Sequence, residues 1–516
     1  MTESSFPILS ACLLWPLLGA VLLMAVNKPT TARGMALAIG VIELALTLVA
    51  VSLFDGTNPG FQLLEDRLWI PNLNVHYQLG VDGISILFLP MSALLCVMSL
   101  LAGWNSVQRL RRFHLALLLL LQSVTIGVFC ALDLVLFFLF WELTLPPLFF
   151  LIGLWGVGAR RRQAAMKYVL YMLFGGVPLL FGIIALVLQQ SDLSQDGLSG
   201  LSFSLLTLLS LPLSADAQTV IFLLLLLGFA VKIPLLPLHG WLPSTALEAP
   251  PQVTSSLLGL KLGVYGLIRF ALPLAPAAAQ QHRWLLAILG AITLVYGALL
   301  ALQQSNLRRL LAYAGISHVG LVVIGIASFT LQGLQGALMQ LLNFGLVAGS
   351  LMLIAGMLQQ RLGSNEVLHL GGLAKPMPRL TTLFFLFAFA SLGLPGLNGF
   401  PAELLMIWGV FSAYPSLGVV ALFAAVLGAA YVLQFTRHAF WGPVVSQAVA
   451  QAQDLRRREW LMLIVPMLAA LWLGFYPQAL LRLQEPTLVQ WLSRLQRISS
   501  ASSLIVEPAL QAAKPL

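Results

Sequence analysis

The chain has 516 residues, of which 59% are hydrophobic and only 9% charged, with a mean hydropathy of +0.94. That composition excludes a soluble globule and fits an all-α polytopic membrane protein. The net charge of +9 would suggest nucleic acid in a soluble protein, but here basic loops on one side of a lipid bilayer account for it and no nucleic-acid partner is expected.

Apolar runs of about 20 residues, the length that crosses a bilayer, predict fourteen transmembrane helices. They lie near 8–26, 34–54, 84–104, 113–130, 131–155, 165–189, 219–240, 253–272, 284–303, 310–329, 333–358, 380–410, 415–436 and 460–480. The N-terminus is too lightly charged for a secretory signal, so the first run is read as a span. The loop 55–83 alternates over Leu68–Gln78, which predicts a short hairpin turning at Asn72 and Asn74. Cys12, Cys96 and Cys130 lie in apolar stretches without CxxC spacing and read as packing residues.

Two runs contain helix breakers. Pro234 and Pro237 follow Lys232 in the seventh run, and Gly393, Pro395, Gly396 and Gly399 interrupt the twelfth. Both helices are expected to be broken where protein or water covers the freed backbone. The breaks are five spans apart. That predicts two five-helix repeats of opposite topology, over 113–272 and 284–436, following an N-terminal unit over 1–112. Residues 437–516 are read as helix 14, an amphipathic C-terminal helix and a tail. In the amphipathic segment 480–498, Leu481, Leu483, Leu488, Trp491 and Leu492 oppose Arg482, Arg494 and Arg497, as expected for an interfacial helix, and the last residues are expected to be disordered.

Basic residues alternate between loops. Lys28 and Arg33, Arg109 to Arg112, Arg160 to Arg162, Arg308 and Arg309, Arg361 to Arg379, and Arg437 to Arg458 fall in odd-numbered loops, while even-numbered loops hold mainly Arg67 and Arg283. The positive-inside rule then predicts a cytoplasmic location for odd loops and an outside location for both termini.

Five ionisable residues sit deep in apolar runs. Each costs at least roughly 2.5–3.5 kcal/mol to place there, so each marks a buried pathway by default. Glu142 lies in FFLFWELTLPP, and its bland alternative is a structural carboxylate paired with another helix. Lys232 precedes the first break, where it could simply cap freed carbonyls; burial and a carboxylate partner act on its protonation in opposite directions. Lys261 is mid-span, with flanks too long for snorkelling. His318 could be a satisfied core histidine, but its chemistry suits a proton shuttle. Glu403 follows the second break and suits a terminal proton acceptor. His239 and Glu248 flank the seventh and eighth spans, where proton uptake and plain loop hydrogen bonding are both open. Lys167, near the start of helix 6, reads as an anchor, and the remaining histidines are assigned no chemistry. No phosphate loop, nucleophile elbow or metal-ligand cluster is present, so no bound redox cofactor or metal is expected.

Taken together, GVDGIS (80–85), FFLFWELTLPPLFFLIGLWG, AAMKYVLYML, VKIPLLPLHGWLP with EAP, LLGLKLGVYGLIRF, RRLLAYAGISHVG and GLPGLNGF resemble the antiporter-like proton-pumping subunits of respiratory complex I. The likeness spans about 80–443 and is nearest the M type (chain 4), chiefly because Glu403 stands where related subunits carry lysine. It implies the fourteen-helix fold with two inverted repeats. It also implies a coupled Glu142–Lys232 pair, a Lys261–His318 relay and Glu403 as distal acceptor. NADH, flavin, iron–sulfur clusters and quinone would belong to partner subunits, and the partners would be other membrane-arm subunits and a peripheral redox arm. Three positions depart from the family pattern. Ser244 and Ala246 replace an aspartate and a histidine, and Phe344, after Asn343, replaces a histidine that would link His318 to Glu403.

The expected function is therefore a proton-translocating membrane-arm subunit of a NAD(P)H:quinone oxidoreductase in a bacterial inner membrane. An Mrp-type cation/proton antiporter subunit, the membrane arm of a hydrogenase or inorganic-carbon uptake complex, and a non-pumping scaffold share these features.

Overall fold

The computed structural model describes residues 6–194, 200–210 and 213–512. Among these, eleven helices are long and apolar enough to cross a membrane, and three shorter apolar helices, Phe88–Ala102, Pro378–Ser391 and Gly399–Ala413, accompany them. A helical segment lies under every expected run. In hydrocarbon each backbone N–H must be met within its own segment, and a helix does this without a partner. Packing is uneven. Leu331–Leu362 is 94% buried within the chain and Leu307–Ala327 is 89% buried, whereas Pro29–Leu53 and Pro415–Phe440 are each 33% buried. The first two form the centre and the second two the rim.

The outer loop folds as an antiparallel hairpin, β1 (Gln62–Ile70) with β2 (Val75–Val81), which is longer than the alternating stretch suggested. Asn74 takes the left-handed conformation at the turn, with φ 50°. The Glu65 carboxylate accepts the Leu9 and Ser10 N–H groups at 2.8 and 3.1 Å, so the hairpin caps the Ile8–Ala25 helix at its partly positive end.

One junction occurs twice. Asp133 caps the Leu134–Leu143 helix, accepting from Val135 N at 2.9 Å and Leu136 N at 3.1 Å. Beside it Leu134 N donates to Phe203 O at 2.9 Å and Leu205 N to Leu132 O at 2.7 Å. Asn306 caps Leu307–Ala327 in the same way, and there Leu307 N donates to Asn365 O at 3.0 Å and Val367 N to Ser305 O at 2.8 Å.

Helix breaks fall at both proline- and glycine-marked places and at two others. Ala215–Lys232 stops at the lysine, with Pro234 at φ 31°, and Trp241–Glu248 follows. Pro378–Ser391 and Gly399–Ala413 are separated by Gly393 (φ 65°) and Gly396 (φ 90°), conformations that glycine adopts without strain. The eighth run also breaks. Pro251–Gly259 ends, Lys261 sits in the gap, and Leu262–Gly266 continues into a π-helical turn at Leu267–Ala271. The eleventh run carries a second π-helical turn, Phe344–Ala348.

The C-terminal helix differs from expectation. It runs Gln478–Ala512, so helical backbone replaces the disorder expected before Ala512, and residues 513–516 lie outside the described ones. Leu488, Trp491, Leu492 and Leu495 are buried against protein, and Trp491 Nε1 donates to Ile268 O at 3.2 Å. The amphipathic face serves as a strap across the bundle, which the periodicity of 480–498 could not distinguish from a membrane-facing one.

Candidate functional site

Each deep ionisable group except His318 lies at or near a backbone irregularity. A broken helix frees carbonyls and opens small gaps, and both can host a charge that a continuous helix would reject.

Lys232 ends its helix with Nζ donating to Trp141 O at 3.3 Å and Thr144 Oγ1 at 3.1 Å, 3.8 Å from the centroid of the Trp141 ring. The indole face offers a cation negative quadrupole density. Thr144 divides Leu134–Leu143 from Leu145–Trp155, and its hydroxyl donates to Trp141 O at 2.8 Å, so the two oxygens that receive Lys232 are themselves bonded to each other. Glu142 is adjacent in sequence to Trp141, yet it and Lys232 do not meet within 4.0 Å; the ion pairs among the described residues lie elsewhere. The Glu142 carboxylate instead lies against Gly176 of the neighbouring helix, where an added Cβ would collide with Oε1. Its influence on the lysine runs through space and through the shared segment 141–144.

A cavity of about 50 Å³ beside Lys232 is lined by Thr144, Tyr168, Gln122, Ser99 and Ser256. That is room for a few waters among polar partners. Lys261 is 6% exposed, and its Nζ lies 4.8 Å from the Phe344 ring centroid.

His318 is the hub of the second half. Its Nδ1 stands 3.7 Å from Glu403 Oε1 and 3.4 Å from Gln340 Nε2, and its Nε2 is 3.4 Å from the Tyr431 hydroxyl. Asn343 Nδ2 donates to Gln340 Oε1 at 3.1 Å and to Asn398 O at 2.9 Å, and Asn398 Nδ2 donates back to Asn343 Oδ1 at 2.6 Å. This buried amide chain ties the Leu331–Asn343 helix to the Gly393–Gly399 break. Gly393 makes room for Glu403, since a Cβ there would lie 2.5 Å from Oε2. Cavities of about 50 and 20 Å³ flank His318, the smaller lined by Glu403, Ser391 and Tyr431.

The sequence placed the Phe344 departure on the leg from His318 to Glu403. The geometry moves it. His318 and Glu403 face each other directly, while the Phe344 ring lies over Lys261 and 6.4 Å, edge-on, from the His318 ring. Phe344 therefore bears on the Lys261–His318 leg, because the π-helical turn that begins at Phe344 aims its side chain towards Lys261.

His239 packs edge-on to Tyr296 at 5.2 Å. Glu248 accepts Arg160 N at 2.8 Å, and its carbonyl accepts Val157 N at 2.9 Å, so it organises the loop 156–160. Neither joins the groups above.

Sequence reasoning passed over two features. Glu43 is fully buried in Pro29–Leu53 with both carboxyl oxygens unpartnered among the described residues, and an acid amid VIELALTLV carried the same signal as Glu142. Asp82 and Arg269 form a buried bidentate pair across 187 positions, a contact no local pattern announces.

Residues 131–428 match the family described as NADH:quinone oxidoreductase/Mrp antiporter, TM. The chain is 36% identical over 492 residues to NADH-quinone oxidoreductase subunit M of Rhodobacter capsulatus, covering 93% of this chain and 95% of the relative. It is 37% identical over 527 aligned positions to NAD(P)H-quinone oxidoreductase chain 4 1 of Synechococcus sp. (strain JA-3-3Ab), covering 99% of this chain and 98% of the relative. Its fold is similar to a chain of respiratory complex I from Thermus thermophilus with bound NADH, with a TM-score of 0.86 and 32% identity over 94% of this chain and 99% of that one.

Proposed function

This chain belongs to the NADH:quinone oxidoreductase/Mrp antiporter family, and we propose that it is the M-type, proton-translocating membrane-arm subunit of a NAD(P)H:quinone oxidoreductase. The observation that carries the proposal is the file of buried ionisable groups, all but His318 at helix irregularities, from Glu142 and Lys232 through Lys261 to His318 and Glu403. In this reading the chain is a translocase subunit without redox chemistry of its own. NADH, flavin, iron–sulfur clusters and quinone sit in partner subunits.

The twice-built junction at Asp133 and Asn306 supports two repeats, 113–272 and 284–436, flanked by 1–112 and 437–516. Fourteen spans, odd loops in the cytoplasm of a bacterium and both termini outside follow from the basic-loop pattern.

A displacement of Glu142, driven by a neighbouring subunit, would carry the 141–144 segment with it. The Trp141 carbonyl, Trp141 ring and Thr144 hydroxyl would then present a different environment to Lys232, and its proton affinity would change. A proton released there passes by way of the polar cavity to Lys261, and from Lys261 past Phe344 to His318 and Glu403. The membrane potential opposes each exported charge by about 2.3 kcal/mol per 100 mV, which quinone reduction elsewhere supplies.

The deciding experiment is quinone-linked proton uptake in inverted membrane vesicles that carry Glu142→Gln in a fully assembled complex. A sharp fall is expected. Wild-type rates in that assembled variant would remove Glu142 from the mechanism.

A further inference from the structure

Three arginines from three separate segments converge at the basic end of the bundle. Arg33 is the fifth residue of Pro29–Leu53, Arg111 begins Arg111–Cys130 and Arg458 is the second residue of Arg457–Phe475. The guanidinium carbons of Arg33 and Arg458 lie 5.9 and 6.0 Å from the Trp104 ring centroid. Arg111 and Arg458 are both within electrostatic reach of Arg33.

Glu459 acts on Arg458 through space but spends its ion pair on Arg361, which leaves Arg33 and Arg458 without a paired counter-charge among the described residues. The Arg33 and Arg458 Nε atoms are buried without an acceptor, and none of the three arginines forms an ion pair among the described residues. The local carboxylates are already engaged. Glu459 accepts Arg361 at 2.5 Å and Arg456 N at 2.9 Å. Asp454 accepts the backbone N–H groups of Arg379, Leu380 and Leu455 at 2.8, 3.0 and 2.8 Å. Arg111 is held in place by Val107 O at 2.9 Å and Gln108 Oε1 at 3.0 Å.

We propose that Arg33 and Arg458, on either side of a shared contact with Trp104 and with Arg111 near Arg33, form a binding site for the phosphodiester headgroup of an anionic lipid. Two guanidinium groups present forked N–H donors that match phosphate oxygens, which a lysine cannot do. The site stands where apolar helices meet basic loops, the level of headgroups, and tryptophan is a characteristic residue of that level. An anion here relieves the repulsion among three cations and ties together the loop after the first helix, the loop after the third and the start of Arg457–Phe475.

The test uses the full-length chain in its native assembly, in mild detergent, with dioleoylphosphatidylglycerol, dioleoylphosphatidylcholine or sodium phosphate as probes. Native mass spectrometry counts retained lipid, and thermal unfolding reports stabilisation. The wild type should retain phosphatidylglycerol over phosphatidylcholine by at least about tenfold. Arg33→Gln with Arg458→Gln should lose that preference at one site per chain, whereas Arg109→Gln, exposed and outside the cluster, should keep it. Stabilisation by millimolar phosphate that also displaces the lipid would support the phosphate chemistry while naming the free anion as a sufficient ligand. Equal retention of the two lipids by the wild type, or unchanged retention in the double variant, would overturn the proposal. Should the double variant not assemble, Arg458→Lys keeps the charge and removes the forked donors. A several-fold loss of phosphatidylglycerol is expected there, and no loss would overturn the forked geometry.

Discussion

In the first half of the molecule, Lys232 is held by a carbonyl, a hydroxyl and an indole face, and the carboxylate of Glu142 stands outside ion-pairing distance. In the second half, His318 faces Glu403 at 3.7 Å inside a chain of buried amides. The difference concerns what each site can respond to. A lysine held by dipoles and a ring keeps its position whether or not a carboxylate approaches, so a moving carboxylate changes its charge more readily than its place. An imidazole opposite a carboxylate can exchange a proton with it through one short contact or one water. On the proposed mechanism, the first half is the part that is switched and the second the part that hands the proton on.

The largest expected effect breaks the first site. Lys232→Met keeps the stem and removes the ammonium, and quinone-linked proton translocation should fall on the order of 10²-fold, the scale of a lost acid–base group. Measured in vesicles at matched assembly, a loss below twofold would mean that the first half is scaffolding. Glu403→Gln should fall by about tenfold, less than Lys232→Met, because His318 retains Gln340 and Tyr431 as partners. The opposite ranking would reverse the division of labour drawn above.

The amide chain allows a stability measurement that the first half does not. Asn343→Leu strands Gln340 Oε1 and the Asn398 amide in a buried site, which should cost about 1–3 kcal/mol. It should lower the thermal midpoint of the assembly, whereas Thr144→Val, which removes one acceptor of Lys232, should leave that midpoint nearly unchanged and reduce turnover about fivefold. Equal effects of the two on the midpoint would erase the contrast.

How far the sequence went is itself explained by chemistry. The breaks after Lys232 and before Glu403 were legible because proline and glycine cannot hide in an apolar run. The gap at Lys261 was not, since GLKLGVYG contains no proline and its glycines also serve close packing, as where Gly263 meets Ile233 and Gly266 meets Phe229 of another helix. Glu142, Lys232, Lys261, His318 and Glu403 were singled out by one argument, the expense of a charge in hydrocarbon, and that argument says nothing about which of them meet. It also named Glu142 and Lys232 as a coupled pair; each acts on the other through space, but their charged atoms do not come within 4.0 Å, a distance no sequence pattern sets. The face of the C-terminal helix was legible, but whether protein or lipid covers it was not, because both are apolar.

Phe344 separates the halves most finely. Its ring covers Lys261 at 4.8 Å and stands 6.4 Å from His318, so it lies between the relay lysine and the imidazole. A phenyl ring can neither donate nor accept a proton, but its face steadies the ammonium. Phe344→His has nearly the same size and adds two nitrogens at that place, at the cost of a weaker cation–π surface. The two changes oppose each other, and turnover should rise only about twofold, equivalent to about 0.4 kcal/mol on the barrier. The more telling measurement is the solvent isotope effect on proton translocation. If the Lys261–His318 leg limits the rate, the effect should shrink in Phe344→His and grow in Phe344→Leu, which loses the ring face altogether. An isotope effect identical in all three chains would place the slow step elsewhere, and the contrast between the halves would then rest on Lys232 and Glu403 alone.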